Sequence, residues 1–318
     1  MITERIDAIT HIPTERRTTT PPAPRSVKIE LTARCNYRCK FCALALRPPS
    51  QQSGDMAWPL FARITREMRD AGVEEFGLFY IGESFLAPDL LARAVRFLKY
   101  DLEAPYVFLT SNASAATDVA VEQCMAAGLD SLKWSINAAT PEQFKAITGV
   151  SDRLFERALA HVAEAKAIRD RGGYHCRLSA SSIKYDGTQG EQMEALLEAR
   201  VRPYVDEHYW LPLYSMAAQA APGEAAIGYT PTQGNRGRAD NLVESLPCWA
   251  LFTEGHVLSD GRLSACCFDA SGDWVMADLQ RMPFVEAWQS AQFQALRAAH
   301  LARDVRGTIC ERCQACGV

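Results

Sequence analysis

Several large classes of protein are excluded by what this chain lacks. Nowhere in its 318 residues do 18 apolar residues follow one another, so no membrane-spanning helix is expected. The opening MITERIDAITHIPTERR has no apolar stretch of the kind a secretory signal needs, and Glu4, Asp7 and Glu15 do not suit a transit peptide. Positive charge is not in excess. Lys and Arg number 34 against 38 Asp and Glu, a net charge of −4, which argues against a protein built to neutralise nucleic-acid phosphates. There is no internal repeat beyond a strand–helix alternation and no long low-complexity tract. A cytoplasmic protein with neither nucleic-acid nor membrane partners is the expectation. The mild acidity suits a cationic, polyhydroxylated substrate.

Cysteine is abundant instead: 11 residues, at 35, 39, 42, 124, 176, 248, 266, 267, 310, 313 and 316. An odd number, clustered in a chain with no secretion signal, points to metal binding or catalysis rather than disulfides. Cys124, on a predicted helix, and Cys176, in a predicted strand, read as small buried hydrophobes. The six histidines are scattered and form no ligand pattern.

Short β-rich runs at 26–31, 75–81, 105–110, 131–136, 175–183 and 207–213 alternate with amphipathic segments near 57–71, 86–99, 115–127, 141–170 and 189–200. This is the signature of βα units and a parallel sheet. Six units give an α/β fold, a partial (β/α)6 TIM-like barrel, with functional residues on the loops that follow the strands. Residues 1–25, ending in TTTPPAPR, read as a flexible tail or extended arm. The barrel is assigned to 26–215, a Gly-, Ala- and Pro-rich linker to 216–246, and a small cysteine-rich domain to 247–318.

The first cluster, Cys35-Asn-Tyr-Arg-Cys39-Lys-Phe-Cys42, follows the first strand directly. Structural zinc wants four ligands, and no fourth Cys or His lies nearby. A four-iron cluster held by three cysteines keeps one iron open to a substrate or cofactor. In the second group, Cys248-x12-Gly261-x4-Cys266 fits a hairpin turning at Ser259-Asp260-Gly261. Cys310-x2-Cys313 supplies another pair after a predicted helix near 283–301. Four thiolates suit a [4Fe–4S] cluster or zinc.

From residue 26 onward the chain resembles the radical S-adenosylmethionine (radical SAM) superfamily, and its C-terminal part resembles the SPASM/twitch extension. The resemblance implies that Cys35, Cys39 and Cys42 ligate a [4Fe–4S] cluster whose fourth iron is chelated by SAM. One electron then cleaves SAM to methionine and a 5′-deoxyadenosyl radical that abstracts hydrogen from substrate. Phe41 matches the position beside the adenine. Ile81-Gly82-Glu83-Ser84 matches the Gly-Gly-Glu motif, with Ile81 replacing the first Gly, and Gly82 and Glu83 are implied to hold the SAM amino group. Thr110-Ser111-Asn112 and Ser135-Ile136-Asn137 match cofactor-contacting segments, making Asn112, Ser135 and Asn137 candidates.

The full SPASM pattern carries further cysteines, so the shorter twitch form is expected, with one auxiliary [4Fe–4S] cluster on Cys248, Cys266, Cys310 and Cys313. Cys316 is an alternative last ligand. Cys267, left over, is a candidate hydrogen-atom donor. An auxiliary cluster that accepts an electron makes dehydrogenation of a small polar metabolite the leading reaction, as in aminocyclitol dehydrogenases. Quenching by Cys267 would give epimerisation, as in aminoglycoside epimerases. Peptide maturation is a further alternative, although only 25 residues precede the expected barrel and leave no leader-binding domain in cis. A non-catalytic iron–sulfur electron-transfer or scaffold protein is the alternative outside enzymes. A small-molecule substrate and an electron donor such as flavodoxin or ferredoxin are the expected partners. Asp269 and Asp273 are read as turn caps or substrate contacts. Tyr209, Trp210, Tyr214 and Trp249 are read as core residues near the pocket walls.

Overall fold

The computed structural model describes residues 1–42, 44, 47–269 and 272–316. Six strands run parallel and pair in sequence order: β1 (Ser26–Ile29), β2 (Glu75–Gly77), β3 (Tyr106–Ser111), β4 (Ser131–Ser135), β5 (Arg177–Ile183) and β6 (Glu207–Leu211). Helices α2 (Trp58–Asp70), α3 (Pro88–Arg96) and α4 (Asp118–Ala126) make the first crossovers. After β4 come α5 (Pro141–Thr148) and α6 (Arg153–Gly172), and α7 (Gly187–Arg200) precedes β6. Helix α2 shows why they dock: Phe61, Ile64, Thr65 and Met68 recur at helical spacing and are all buried. The single helical stretch expected over 141–170 is two helices, because Gly149 takes φ +69°, a left-handed stop that favours glycine.

The segment read as a tail is structured. Helix α1 (Ile2–Thr10) lies across the end of the barrel where the strands begin: the backbone N–H of Ile2 donates to Glu207 at 2.7 Å and Arg5 pairs with Glu75 at 2.7 Å. The proline-rich stretch after it is extended but tied down. Prolines leave carbonyls without competing N–H groups, and those of Pro22 and Thr19 accept from the Trp288 indole and the buried Arg297 guanidinium.

The expected linker also carries structure, helix α8 (Ala221–Ala226) and an antiparallel ribbon of β7 (Arg236–Arg238) and β8 (Asn241–Leu242). The ribbon is held to α1 by Arg238 and Asn241, which both bond Asp7.

The C-terminal segment does not form a separate sheet. Strand β9 (Glu254–Val257) pairs parallel with β1, and β10 (Arg262–Ser264) and β11 (Val275–Asp278) continue outward antiparallel, giving one nine-stranded sheet. The β9–β10 hairpin turns at Ser259–Gly261 as its sequence foretells. Helices α9 (Phe284–Trp288) and α10 (Ala291–Leu301) follow. Cys124 and Cys176 are buried in the core.

Candidate functional site: two cavities stacked in the barrel

The upper cavity, about 230 Å³, opens at the ends of the strands where parallel barrels carry their sites. Cys35, Cys39, Cys42, Phe41, Gly82, Glu83, Asn112, Ser135 and Asn137 all line it. The loop after β1 is pinned to the loop after β2. The N–H of Glu83 donates to the Arg34 carbonyl at 2.8 Å, and a Cβ on Gly82 would lie 1.9 Å from the Thr32 oxygen. Glycine is therefore required at 82 for the two loops to touch. Beneath them, Glu30 receives the buried Arg47 guanidinium at 3.0 Å and accepts from the N–H groups of Gly82 and Ser259.

Glu83 is buried. It accepts from Ser111 Oγ, the Asn112 N–H and the Phe85 N–H, and no basic side chain pairs with it among the described residues. Burial raises its pKa against those three bonds. A fixed carboxylate facing a cavity with no protein cation is what the ammonium of SAM would meet. Asn112 and Asn137 are more occupied than the motifs imply. The Asn112 amide bonds Asn36 at 2.9 Å, and Asn137 Oδ1 accepts from the Ile183 N–H at 3.1 Å.

Burial pushes the Cys35 thiol up to about 12, with Glu83 adding to it. Cys39 and Cys42 are raised too, burial again dominating. Three thiols that resist ionisation together need cations to become ligands. Among the described residues only His300, Cys310 and Cys316 form a group of three such side chains whose donor atoms all lie within 4.8 Å of one another. Cys35, Cys39 and Cys42 form no such group, so their sulfurs are not all as close as the roughly 3.8 Å that one tetrahedral zinc imposes.

The lower cavity, about 250 Å³, lies inside the barrel and shares Phe79 and Thr110 with the upper one. Alternate residues of the strands face it: Lys28 on β1, Phe108 on β3, Lys133 on β4, Tyr209 on β6 and Glu254 on β9. Helix α1 closes its floor with Arg5, whose guanidinium lies 3.4 Å from the Tyr106 ring centroid. Its side wall brings together Cys248, Cys266, Cys310 and Cys313, and also Cys316, Cys267 and His300. Lys28 pairs with Glu254 at 2.8 Å, and His256 bonds the same carboxylate. Burial would raise Glu254, but Lys28 and His256 outweigh it and hold it at about 2. Burial raises Cys267 to about 11, so it stays a protonated thiol at neutral pH.

His300 is the site residue that sequence reasoning missed. It is fully buried, and its Nδ1 accepts from the Cys248 N–H at 3.1 Å. Tyr80 was missed as well; its hydroxyl donates to the Cys266 carbonyl at 2.6 Å and so joins the two cavities' walls. Asp269 is a buried cap, accepting from Ser264 and from the N–H groups of Gly272, Asp273 and Trp274. Of the four aromatics near the walls, Tyr209, Tyr214 and Trp249 line the lower cavity and Trp210 does not.

An open parallel barrel with three loop cysteines and a second cysteine group on its flank is the architecture of an iron–sulfur barrel enzyme. The family models agree. Residues 29–170 match the radical SAM superfamily, and residues 248–317 match SPASM, an iron–sulfur cluster-binding domain. The chain thus carries a radical SAM domain followed by a SPASM domain. These domains imply SAM, a [4Fe–4S] cluster and auxiliary iron–sulfur binding. The chain is 33% identical over 153 residues to a PqqA peptide cyclase of Ruegeria pomeroyi, a match covering 46% of this chain and only 38% of that protein. Among solved structures it resembles SuiB of Streptococcus suis bound to the precursor peptide SuiA, with TM-score 0.64 and 14% identity over 87% of this chain and 67% of that one. It also resembles BtrN in complex with AdoMet and 2-DOIA, with TM-score 0.56 and 13% identity over 88% of each chain. At these identities the structural likeness is one of fold. No described helix is long and apolar enough to cross a membrane.

Proposed function

We propose that the chain oxidises a C–H bond of a small polar metabolite, of the sugar or aminocyclitol type, bound in the lower cavity. Cys35, Cys39 and Cys42 would hold the cluster, which when bound would supply the electron for SAM cleavage and so the means of removing a hydrogen atom from the substrate. Cys248, Cys266, Cys310 and Cys313 would hold a single auxiliary cluster able to accept the second electron, and with the hydroxyl proton passing to water the product would be a carbonyl. The observation that carries this reading is the stacking: one chamber touches the SAM cavity through Phe79 and Thr110 and has the second cysteine group as its wall.

The residues divide the work. Glu83 waits for the SAM ammonium, Gly82 lets the cysteine loop approach, and Phe41 and Ser135 line the nucleoside side. The first electron would come from a flavodoxin or ferredoxin. The cytoplasm is the proposed compartment, because all 11 cysteines are free thiols and those of the three-cysteine motif and the auxiliary group must stay reduced to ligate iron.

Epimerisation is a second reading, favoured by one observation: Cys267 faces the chamber as a protonated thiol. The test is to reconstitute the chain anaerobically, supply dithionite and SAM, and screen sugars and aminocyclitols for 5′-deoxyadenosine and product. A carbonyl product that survives Cys267→Ala supports oxidation, and an epimer lost in Cys267→Ala supports the second reading. No nucleoside from any preparation contradicts both.

A further inference from the structure

Charge in the lower cavity differs from that of the whole chain. Four cations line it, Arg5, Lys28, Lys133 and Arg236, against two carboxylates, Glu75 and Glu254. Both carboxylates are taken. Glu75 is paired by Arg5, and by Arg25 from outside the cavity, while Glu254 is held by Lys28 and His256. The Lys133 ammonium forms no hydrogen bond or ion pair with any described residue and lies 5.7 Å from the centroid of the Tyr209 ring.

An unpaired cation inside a barrel is costly unless something arrives to pair with it. Burial, with Lys28 adding to it, lowers Lys133 to about 7. The groups facing it are Lys28 from β1, Thr110 from β3, Ser179 from β5 and Tyr209 from β6, none of them acidic at neutral pH. Nor does Lys133 serve the auxiliary cysteines. Lys28 lies within electrostatic reach of Cys266 and Cys267, whereas Lys133 is shifted by burial and by Lys28. Its position is that of a substrate anchor. It pairs in register with Thr110, which both cavities share. Ser135, on the upper cavity, is two residues further along the same strand, about 7 Å away.

We infer that the substrate carries an anionic group, a carboxylate or a phosphate, that pairs with Lys133 in the lower cavity while the rest of the molecule reaches toward the SAM cavity. This rests on the lower cavity being the substrate chamber. Within the sugar-type class it favours a sugar acid or sugar phosphate over an aminocyclitol. It also reverses the cationic substrate suggested by the net charge of −4, because the local field at the cavity is set by these few side chains.

The test is competitive acetylation of lysines in the reconstituted, SAM-loaded protein, read residue by residue by mass spectrometry. Glucose 6-phosphate, glucuronate and glucosamine are added in separate arms at matched ionic strength. An anionic sugar at ten times its Kd should slow Lys133 labelling about tenfold, with Lys166 on the surface of α6 unchanged and glucosamine without effect. Which anion protects distinguishes phosphate from carboxylate. Lys133 labelling unaffected by either anion, slowed equally by glucosamine, or absent altogether overturns the inference. SAM cleavage in the same preparation reports separately on the radical SAM chemistry, so failure of the anchor and failure of the enzyme reading give different results.

Discussion

The two cysteine regions teach different lessons. The N-terminal motif keeps its three cysteines, the proposed ligands, within eight residues of one loop, held by Gly82, Glu83 and the buried Glu30–Arg47 pair. The C-terminal group gathers its candidate donors from a hairpin, a helix and a terminal turn spread over residues 248–316, more of them than one cluster needs. A local motif fails when any one member is lost. An assembled group with spare donors is expected to tolerate some losses.

The largest expected effect lies in the first region. Changing Cys35, Cys39 and Cys42 together to Ala should remove about four irons per chain and abolish 5′-deoxyadenosine formation, as iron analysis and chromatography would show. If nucleoside still forms, the contrast is broken. Glu30→Ala should come next. It leaves the Arg47 charge without its carboxylate in a buried position, at a cost of about 3–5 kcal/mol read by chemical denaturation. A loss below about 1 kcal/mol would mean that the pair does not brace the two loops.

In the second region, Cys310→Ser should lose the auxiliary iron, whereas Cys316→Ser should keep most of it if Cys313 is the last ligand. The opposite result would move the ligand set onto Cys316, which already stands beside His300. For the cavity between the regions, the acetylation rate of Lys133 should rise with pH and level off above its lowered pKa of about 7. The neutral amine is the nucleophile, and an unperturbed surface lysine would not level off until about pH 10.4. The smallest effect is Tyr80→Phe, which removes one hydrogen bond to the Cys266 carbonyl and should cost about 1 kcal/mol of stability.

This contrast also explains what could be read from the sequence. The six parallel strands and their helices were legible because each is a contiguous periodic run, and the upper cavity was legible because each of its motifs is local. The N-terminal helix was not legible: Ile2–Thr10 is short, and what holds it is Glu207 and Glu75, far along the chain. The ribbon at 236–242 was hidden by the same kind of distant contact, through Asp7. His300 lies ten residues before Cys310 with no spacing that marks it, and only the docking of α10 beside Cys248 brings it to the wall. Lys133 did leave a signal. It alternates with Leu132 and Trp134 and so must face inward with Ser131 and Ser135, but a strand lysine draws no notice until its neighbours are known.

The central claim is that two separate iron–sulfur sites flank one chamber and that only the upper one answers to SAM. Electron paramagnetic resonance of the reduced, reconstituted protein, with and without SAM, tests it most directly. Two signals should appear, of which SAM perturbs one. The variant with Cys35, Cys39 and Cys42 changed to Ala should retain only the SAM-insensitive signal. A single signal in the unaltered protein, or a signal in the variant that still shifts with SAM, would contradict the account.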